Sequence, residues 1–330
     1  MVSVVIPAYN NALEVDRLLG SIAERCRGST PFEVIVVDDG SADNAISAAC
    51  ARHPFARCLR LQANQGAAAA RNAGVAQTQH ELLVMFDADM VLISDVIGLA
   101  SRMFEDPAVD AAVGAVSPVP MNGGLFQRFW GLVKAFSLPQ GPYSSTFYPM
   151  VGAIRKRIFQ DVGGFNEHIK GASIEDYEFS LRLSARGYRV RYNPALLVRT
   201  HYKDLLASLS QSFSRAAQWT VLFSHRKRFD NHTTTAAQAV CVLAGAGLIG
   251  SVVLLALGLG SGVLTAGLLG LYACLNSRFL RYVASTSGPW FVPPALCFHV
   301  VLSLVVTLGV AAGGLQLLRG TKRAQAVLYG

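Results

Sequence analysis

The first part of the chain alternates short apolar runs with segments that carry apolar residues at helical spacing. Val2–Ile6 is a β-branched run, and the fixed φ and missing N–H of Pro7 predict that this strand closes there. Leu13, Val15, Leu18, Leu19 and Ile22 then lie on one side of an amphipathic helix predicted over Ala12–Cys26. Phe32–Val37 is apolar except for Glu33 and predicts a second strand, which runs into Asp38-Asp39-Gly40-Ser41. A helix over Asp43–Arg52, a strand over Arg57–Leu61, an Ala-rich helix over Gly66–Ala76 and a strand from Glu81 to Phe86 come next. Strands without polar alternation, separated by helices, predict a largely parallel sheet with helices on both faces. Pro118–Pro149, rich in glycine, proline and aromatics, predicts a loop-and-helix region over a site. Beyond it Gly163–Glu167 reads as a turn, Ser173 as a helix start and Tyr188–Tyr192 as a short strand.

The pattern changes after residue 230. Between Asp230 and Arg319 the only charged side chains are Arg278 and Arg281. A boundary near 230 therefore divides a polar α/β domain, residues 1–230, from a transmembrane region, residues 231–330. Two to three spans are predicted, at about 236–258, 262–284 and 291–318, because roughly 20 apolar residues cross the hydrocarbon core. The second would span only if Arg278 and Arg281 snorkel to the interface. Residues 205–223 predict an interfacial amphipathic helix ahead of the first span.

Composition fits this division: the chain is 52% hydrophobic and 15% charged, with a net charge of +8. The densest basic cluster, His225-Arg226-Lys227-Arg228, precedes the apolar region, where it would face anionic headgroups on the cytoplasmic side. The tail Arg319-x-x-Lys322-Arg323 lies outside with three spans and inside with two or four. No zinc-finger spacing or aromatic–basic motif supports a nucleic-acid partner. The six cysteines show no C-x-x-C pairing and read as reduced and structural. No signal peptide is visible, so the expected location is a bacterial inner or plasma membrane, multi-pass, with the α/β domain in the cytoplasm.

The candidate chemistry sits where predicted strands end, which is where open α/β sheets hold ligands. Asp87 and Asp89 are one residue apart at the end of an apolar run, so both carboxylates can meet one hard divalent cation, Mg²⁺ or Mn²⁺. Asp38-Asp39 and Pro7-Ala8-Tyr9-Asn10 also come directly after strands. Asp39-Gly40-Ser41 could equally turn the chain and cap the next helix. Asn64-x-Gly66 and Arg71 open a helix, where glycine admits close backbone approach and arginine can pair with phosphate.

In order and spacing, Ile6-Pro7-Ala8-Tyr9-Asn10, Val36-Val37-Asp38-Asp39-Gly40-Ser41, Asn64-Gln65-Gly66, Ala70-Arg71-Asn72, Phe86-Asp87-Ala88-Asp89, Gly163-Gly164-Phe165 and Glu175-Asp176 resemble the inverting family 2 glycosyltransferases. The resemblance covers residues 2–200. It implies a GT-A fold, a Rossmann-like mostly parallel sheet with helices on both faces, here continued by C-terminal transmembrane helices. It implies that Pro7, Tyr9, Asp38, Asp39, Asn64, Gly66, Arg71 and Asp87 bind a nucleotide sugar, with Asp87, Asp89 and His201 on the metal. It also implies that Glu175-Asp176 holds the catalytic base, Asp176, although Ser173-x-x-Asp176 also has the form of a capping box. Arg215 would touch the diphosphate. Processive synthases of the family carry Gln-x-x-Arg-Trp near this point, and Gln211-Ser212-Phe213-Ser214-Arg215-Ala216-Ala217-Gln218-Trp219 departs from it, which favours single-sugar transfer.

The expected donor is a nucleotide sugar, foremost a UDP-sugar. The expected acceptor is a lipid, a lipid-linked carrier or a cell-envelope glycan, and nothing calls for an obligate protein partner. A sugar-1-phosphate nucleotidyltransferase would carry a Gly-rich, Lys-containing loop after the first strand, where this chain has Pro7-Ala8-Tyr9-Asn10-Asn11. A catalytically silent nucleotide-binding scaffold would have no need of carboxylates at both sites.

Overall fold

The structure, a computed structural model, describes residues 1–169, 174–226 and 236–319. Ser173, expected to start a helix, and Lys227, Arg228, Lys322 and Arg323, expected in the basic clusters, lie outside these residues. In chain order the elements begin with β1 (Val2–Ala8), α1 (Ala12–Arg25), β2 (Phe32–Asp38), α2 (Ala45–Ala51), β3 (Ala56–Arg60), α3 (Ala67–Ala76) and β4 (Leu82–Phe86). They continue with β5 (Met90–Leu92), α4 (Val96–Met103), β6 (Ala111–Val116), α5 (Leu125–Phe136), β7 (Tyr143–Ser144), β8 (Val151–Arg155) and α6 (Lys156–Val162). The remainder is α7 (Glu175–Ala185), β9 (Val190–Thr200), α8 (Leu205–Arg226), α9 (Ala236–Ala256), α10 (Gly262–Leu275), α11 (Ser277–Ser287) and α12 (Val292–Leu318). Two compact units result. Met1–Met121 and Leu138–His201 form the first; Asn122–Ser137 and the described residues from Tyr202 onward form the second.

The first unit is a nine-stranded sheet in the order β3-β2-β1-β4-β8-β6-β9-β5, with β7 also on β9. The half made of β3, β2, β1 and β4 is parallel, as expected. The other half is not: β8 enters antiparallel between β4 and β6, and β5 and β7 pair antiparallel with β9. The sheet is therefore mixed rather than mostly parallel. Helices cover both faces. Val2, Val4, Ile6, Val34, Val36, Val84 and Phe86 pack with the buried faces of α1, α2 and α4. Val5, Ile35, Val37, Leu83 and Met85 pack with those of α3, α6 and α7.

Strand parity decides where Asp87 points. Leu83 and Met85 face α3, and Asp87 is the next residue of that parity, so its side chain is delivered toward α3. Pro7 does not close β1 as expected; the strand runs to Ala8, with Pro7 opposite Val37. Val2 donates to Pro31 and Ala8 accepts from Asp39, so even-numbered residues bond toward β2 and an amide at position 7 would point toward β4. Pairing with β4 stops at Val5, so the missing N–H leaves no gap in the ladder.

The second unit is helical. Phe126, Phe129 and Leu132 of α5 form one cluster with Phe279, Val283, Phe291 and Ala295. Asn122 donates to the Tyr202 carbonyl at 2.7 Å and accepts from the Tyr202 N–H at 3.0 Å, which ties together the two points where the chain enters this unit. Residues Ala239–Ala256 and Pro289–Leu318 are long and apolar enough to cross a membrane. The stretch expected as one helix over 262–284 is instead broken at Asn276, where α10 and α11 bend by 70°. The break coincides with a change of pattern: α10 is apolar all round, whereas α11 buries Phe279 and Val283 and carries the charged Arg278 and Arg281. Along α8, the Ala217 carbonyl approaches Gly313 of α12 so closely that a Cβ there would sit 2.4 Å away. The segment expected to lie at the interface thus packs directly on the last long apolar helix.

Candidate active site

Three loops meet beyond the ends of β1, β2 and β3. Asn10 adopts φ 52°, a left-handed conformation that asparagine tolerates better than most residues. Its N–H donates to Ser41 Oγ at 2.9 Å, and its side-chain oxygen accepts from the Ala42 N–H at 3.0 Å. Asp38 is fully buried and accepts from the Ser41 N–H at 2.9 Å, with Arg60 Nε 3.7 Å from its other oxygen. Asp39, 3% exposed, accepts from the Gln65 and Gly66 N–H groups, each at 2.8 Å. Gly66 holds φ 97°, where a side chain would be strained, so glycine is what lets this loop present its amide to Asp39. Both aspartates thus organise loops, and those loops carry Tyr9 and Asn64 as exposed side chains. Arg60, absent from the expected site, fastens the same turn by donating to the Ser41 carbonyl at 2.7 Å. Its only signal in the sequence was a charge at the end of a strand.

The second group of residues is centred on Arg71. The expectation was a phosphate contact, but Arg71 is 3% exposed and lies between two carboxylates. Nη2 donates to Asp87 Oδ1 at 2.6 Å and Nη1 to Glu175 Oε1 at 3.2 Å. Burial works against the Arg71 charge, but Asp87 and Glu175 outweigh it and hold the guanidinium above its ordinary value. The Phe165 ring centroid lies 5.5 Å from the guanidinium carbon. Phe165 is itself held by Asn72, which accepts from the Phe165 N–H at 2.9 Å and donates to its carbonyl at 2.8 Å. Arg182 grips the same turn by donating to the Gly164 carbonyl at 2.7 Å. The signature segments Arg71-Asn72, Asp87-x-Asp89, Gly163-Gly164-Phe165 and Glu175-Asp176 are therefore one cluster. Asn72 and Arg182 are supporting residues that the expected site lacked.

Glu175 is buried at the start of α7, whereas Asp176 beside it is half-buried. Of the two, Asp176 is the better placed to meet a ligand. Asp87 and Asp89 are both half-buried at the end of β4. Two oxygen-donor side chains that leave coordination positions for phosphate suit Mg²⁺ or Mn²⁺. The His201 N–H donates to the Asp89 carbonyl at 2.7 Å, so the backbone brings His201 beside this pair. Among the described residues, however, no three His, Cys, Asp or Glu side chains gather as a metal-holding group, so Asp87, Asp89 and His201 do not form a closed three-ligand set. Arg215 lies on α8 in the second unit, where Trp219 stacks on Phe223 at 5.0 Å.

A mixed α/β sheet with loops gathered beyond β1, β2 and β3 and a carboxylate pair at the end of β4 is the arrangement of a GT-A fold. The pattern of Glycosyl transferase family 2 matches residues 3–163, and that of Glycosyltransferase like family 2 matches residues 132–234. The chain belongs to glycosyltransferase family 2. It is 29% identical over 332 residues to the pre-mycofactocin glycosyltransferase of Mycobacterium tuberculosis, covering 90% of this chain and 64% of that relative's length. Over 94 residues it is 38% identical to the undecaprenyl-phosphate 4-deoxy-4-formamido-L-arabinose transferase of Serratia proteamaculans, covering 27% of this chain and 29% of that relative. Among solved structures, a mannosyltransferase from Pyrobaculum calidifontis in complex with GDP-Man and Mn²⁺ has the same fold. That match has a TM-score of 0.58 at 21% identity and covers 89% of this chain and 85% of that one.

Proposed function

We propose that the protein transfers one sugar, with inversion, from a nucleotide-sugar donor to a hydroxyl or phosphate acceptor at a membrane. The observation that carries this reading is the single cluster joining the strand-end carboxylate Asp87 to Glu175 and so to Asp176. Such a transfer needs carboxylates on both the donor and acceptor sides of one site. Pro7, Tyr9, Asn64 and the loops held by Asp38 and Asp39 would receive the nucleoside. Asp87 and Asp89 would hold Mg²⁺ or Mn²⁺, which when bound neutralises charge on the diphosphate leaving group. Asp176 would take the proton from the attacking acceptor oxygen; its place in the first turn of a helix favours the ionised form needed to accept it. Glu175 would position that turn.

The two apolar helices support an acceptor at or near a bilayer; the α/β unit of a multi-pass chain would then lie on the cytoplasmic side. The relative named for undecaprenyl phosphate supports a lipid-linked acceptor. A UDP-sugar is the first donor to test.

The test uses purified, detergent-solubilised protein and a panel of UDP-, GDP- and dTDP-sugars, with Asp89→Ala and Asp176→Ala in parallel. Nucleotide release that requires Mn²⁺ or Mg²⁺, comes from one donor, and disappears in both variants is the expected result. No release and no binding with any donor, with lipid extract added as acceptor, would overturn the reading.

A further inference from the structure

We infer that Arg71 is a positioning residue coupling the donor-side carboxylate Asp87 to Glu175, so that a divalent cation at Asp87 and Asp89 orders the start of α7 beside Asp176. The inference rests on the transferase reading.

A guanidinium is a planar fork whose two outer nitrogens can serve different carboxylates at once, which an ammonium on a flexible stem cannot do in the same geometry. Arg71 uses the fork in this way, with Nη2 on Asp87 and Nη1 on Glu175. Its Nε has no hydrogen-bond partner among the described residues, so these two carboxylates dominate its polar environment. The three groups differ in access to solvent. The side chains of Arg71 and Glu175 are 4% and 6% exposed, and that of Asp87 is 37% exposed. Asp87 is thus approached by Arg71 from inside and open to a cation from outside. A cation arriving there competes with Arg71 for the carboxylate's negative charge. Phe165 lies against the guanidinium and Asn72 fixes Phe165, so Arg71 is held in place. Weaker pairing with Asp87 then means stronger pairing with Glu175, in surroundings where low polarity makes such pairing steep. Glu175 is the first residue of α7 and Asp176 the second.

This coupling predicts something that a merely structural ion pair would not. Among the described residues Glu175 does not join Asp87 and Asp89 in a metal-holding group, yet changing it alters metal affinity. Removing the Glu175 charge leaves the guanidinium wholly to Asp87, which then binds the cation less well.

The test measures Mn²⁺ binding to the full-length, detergent-solubilised protein by electron paramagnetic resonance, with Mn²⁺ alone and with UDP or GDP. Glu175→Gln is expected to weaken Mn²⁺ binding at least about fivefold, in the usual range for coupled sites. Asp176→Asn, which removes the neighbouring carboxylate, is expected to leave Mn²⁺ affinity unchanged while turnover is lost. In an Arg71→Lys background the effect of Glu175→Gln should vanish. A folded Glu175→Gln protein with wild-type Mn²⁺ affinity would overturn the coupling. A second measurement needs no substitution: hydrogen exchange of the Glu175–Phe179 amides in the wild-type protein should slow when Mn²⁺ and the nucleotide are added. Binding without such slowing also overturns the coupling. If the wild-type protein binds neither Mn²⁺ nor any nucleotide, the transferase reading fails first, and the coupling with it.

Discussion

The two units of this protein bury polar groups in opposite ways. The α/β unit buries charge: Arg71 is enclosed with Glu175 and shared with the half-exposed Asp87. The helical unit buries uncharged hydroxyls, with Tyr272 fully enclosed and its OH 2.6 Å from His299 Nδ1 and 2.7 Å from Ser303 Oγ. Buried charges are tolerated where each has an opposite partner and one end of the network reaches water. In a helix pack apolar enough to lie in lipid there would be no such outlet, and short hydroxyl networks tie helices together instead. On the proposed coupling the α/β network would respond to an arriving cation, whereas the helical one would hold its members in register.

The largest expected effect separates chemistry from architecture. Asp176→Asn should lower nucleotide release by about 10²–10⁴-fold, the usual range for loss of a general base, while the thermal transition stays where it was. A loss of less than about tenfold would remove Asp176 from the base role. Next comes the charged network. Arg71→Met leaves two carboxylates facing each other and should destabilise the α/β unit by about 3–5 kcal/mol, read as a lowered midpoint in urea. An unchanged midpoint would mean the network adds no stability. The helical network should be less sensitive: Tyr272→Phe leaves His299 and Ser303 without that hydroxyl and should cost about 1–3 kcal/mol, read from thermal unfolding in detergent. If Tyr272→Phe proved the costlier of the two, the contrast between the units would be reversed.

The smallest effect concerns pH. The His53 hydrogen bond holds the Asp16 carboxyl below its ordinary value of 3.8, against a burial effect that raises it and with Arg52 adding to the lowering. A lowered carboxyl adds stability that is full above that ordinary value and is lost as pH falls through the lower folded one. Asp16→Asn should therefore flatten the stability profile below about pH 4, by no more than about 1 kcal/mol for a pair still open to water. Chemical denaturation across the acid range checks this.

Much of the parallel half of the sheet was legible because its strands are β-branched runs and its helices repeat at a clear period. The other half, where parallel and antiparallel pairings mix, was nearly silent. β6 is Ala-Ala-Val-Gly-Ala-Val and β8 is Val-Gly-Ala-Ile-Arg, small side chains without alternation, and they become strands because neighbours on both sides supply their hydrogen bonds. Pro7 was misleading for a related reason, since which neighbour a strand residue bonds toward is set by its partners. The helix break at Asn276 was missed because the change of pattern there was read as Arg278 and Arg281 snorkelling from the end of one span.

The residue pattern alone carries the family membership, the strand-end placement of Asp38, Asp39, Asp87 and Asp89, and the apolar character of the last third of the chain. These depend on local periodicity and on residue types that only certain chemistry requires. Only the tertiary structure decides that Asp38 and Asp39 hold loops, that Arg71 lies between Asp87 and Glu175, and that Leu125–Phe136 joins the helical unit. Apart from the local Asp38–Ser41 turn, each of these is a contact between residues far apart in the chain. A side chain's charge is written in the sequence, but its partner is chosen when the backbone brings one within reach.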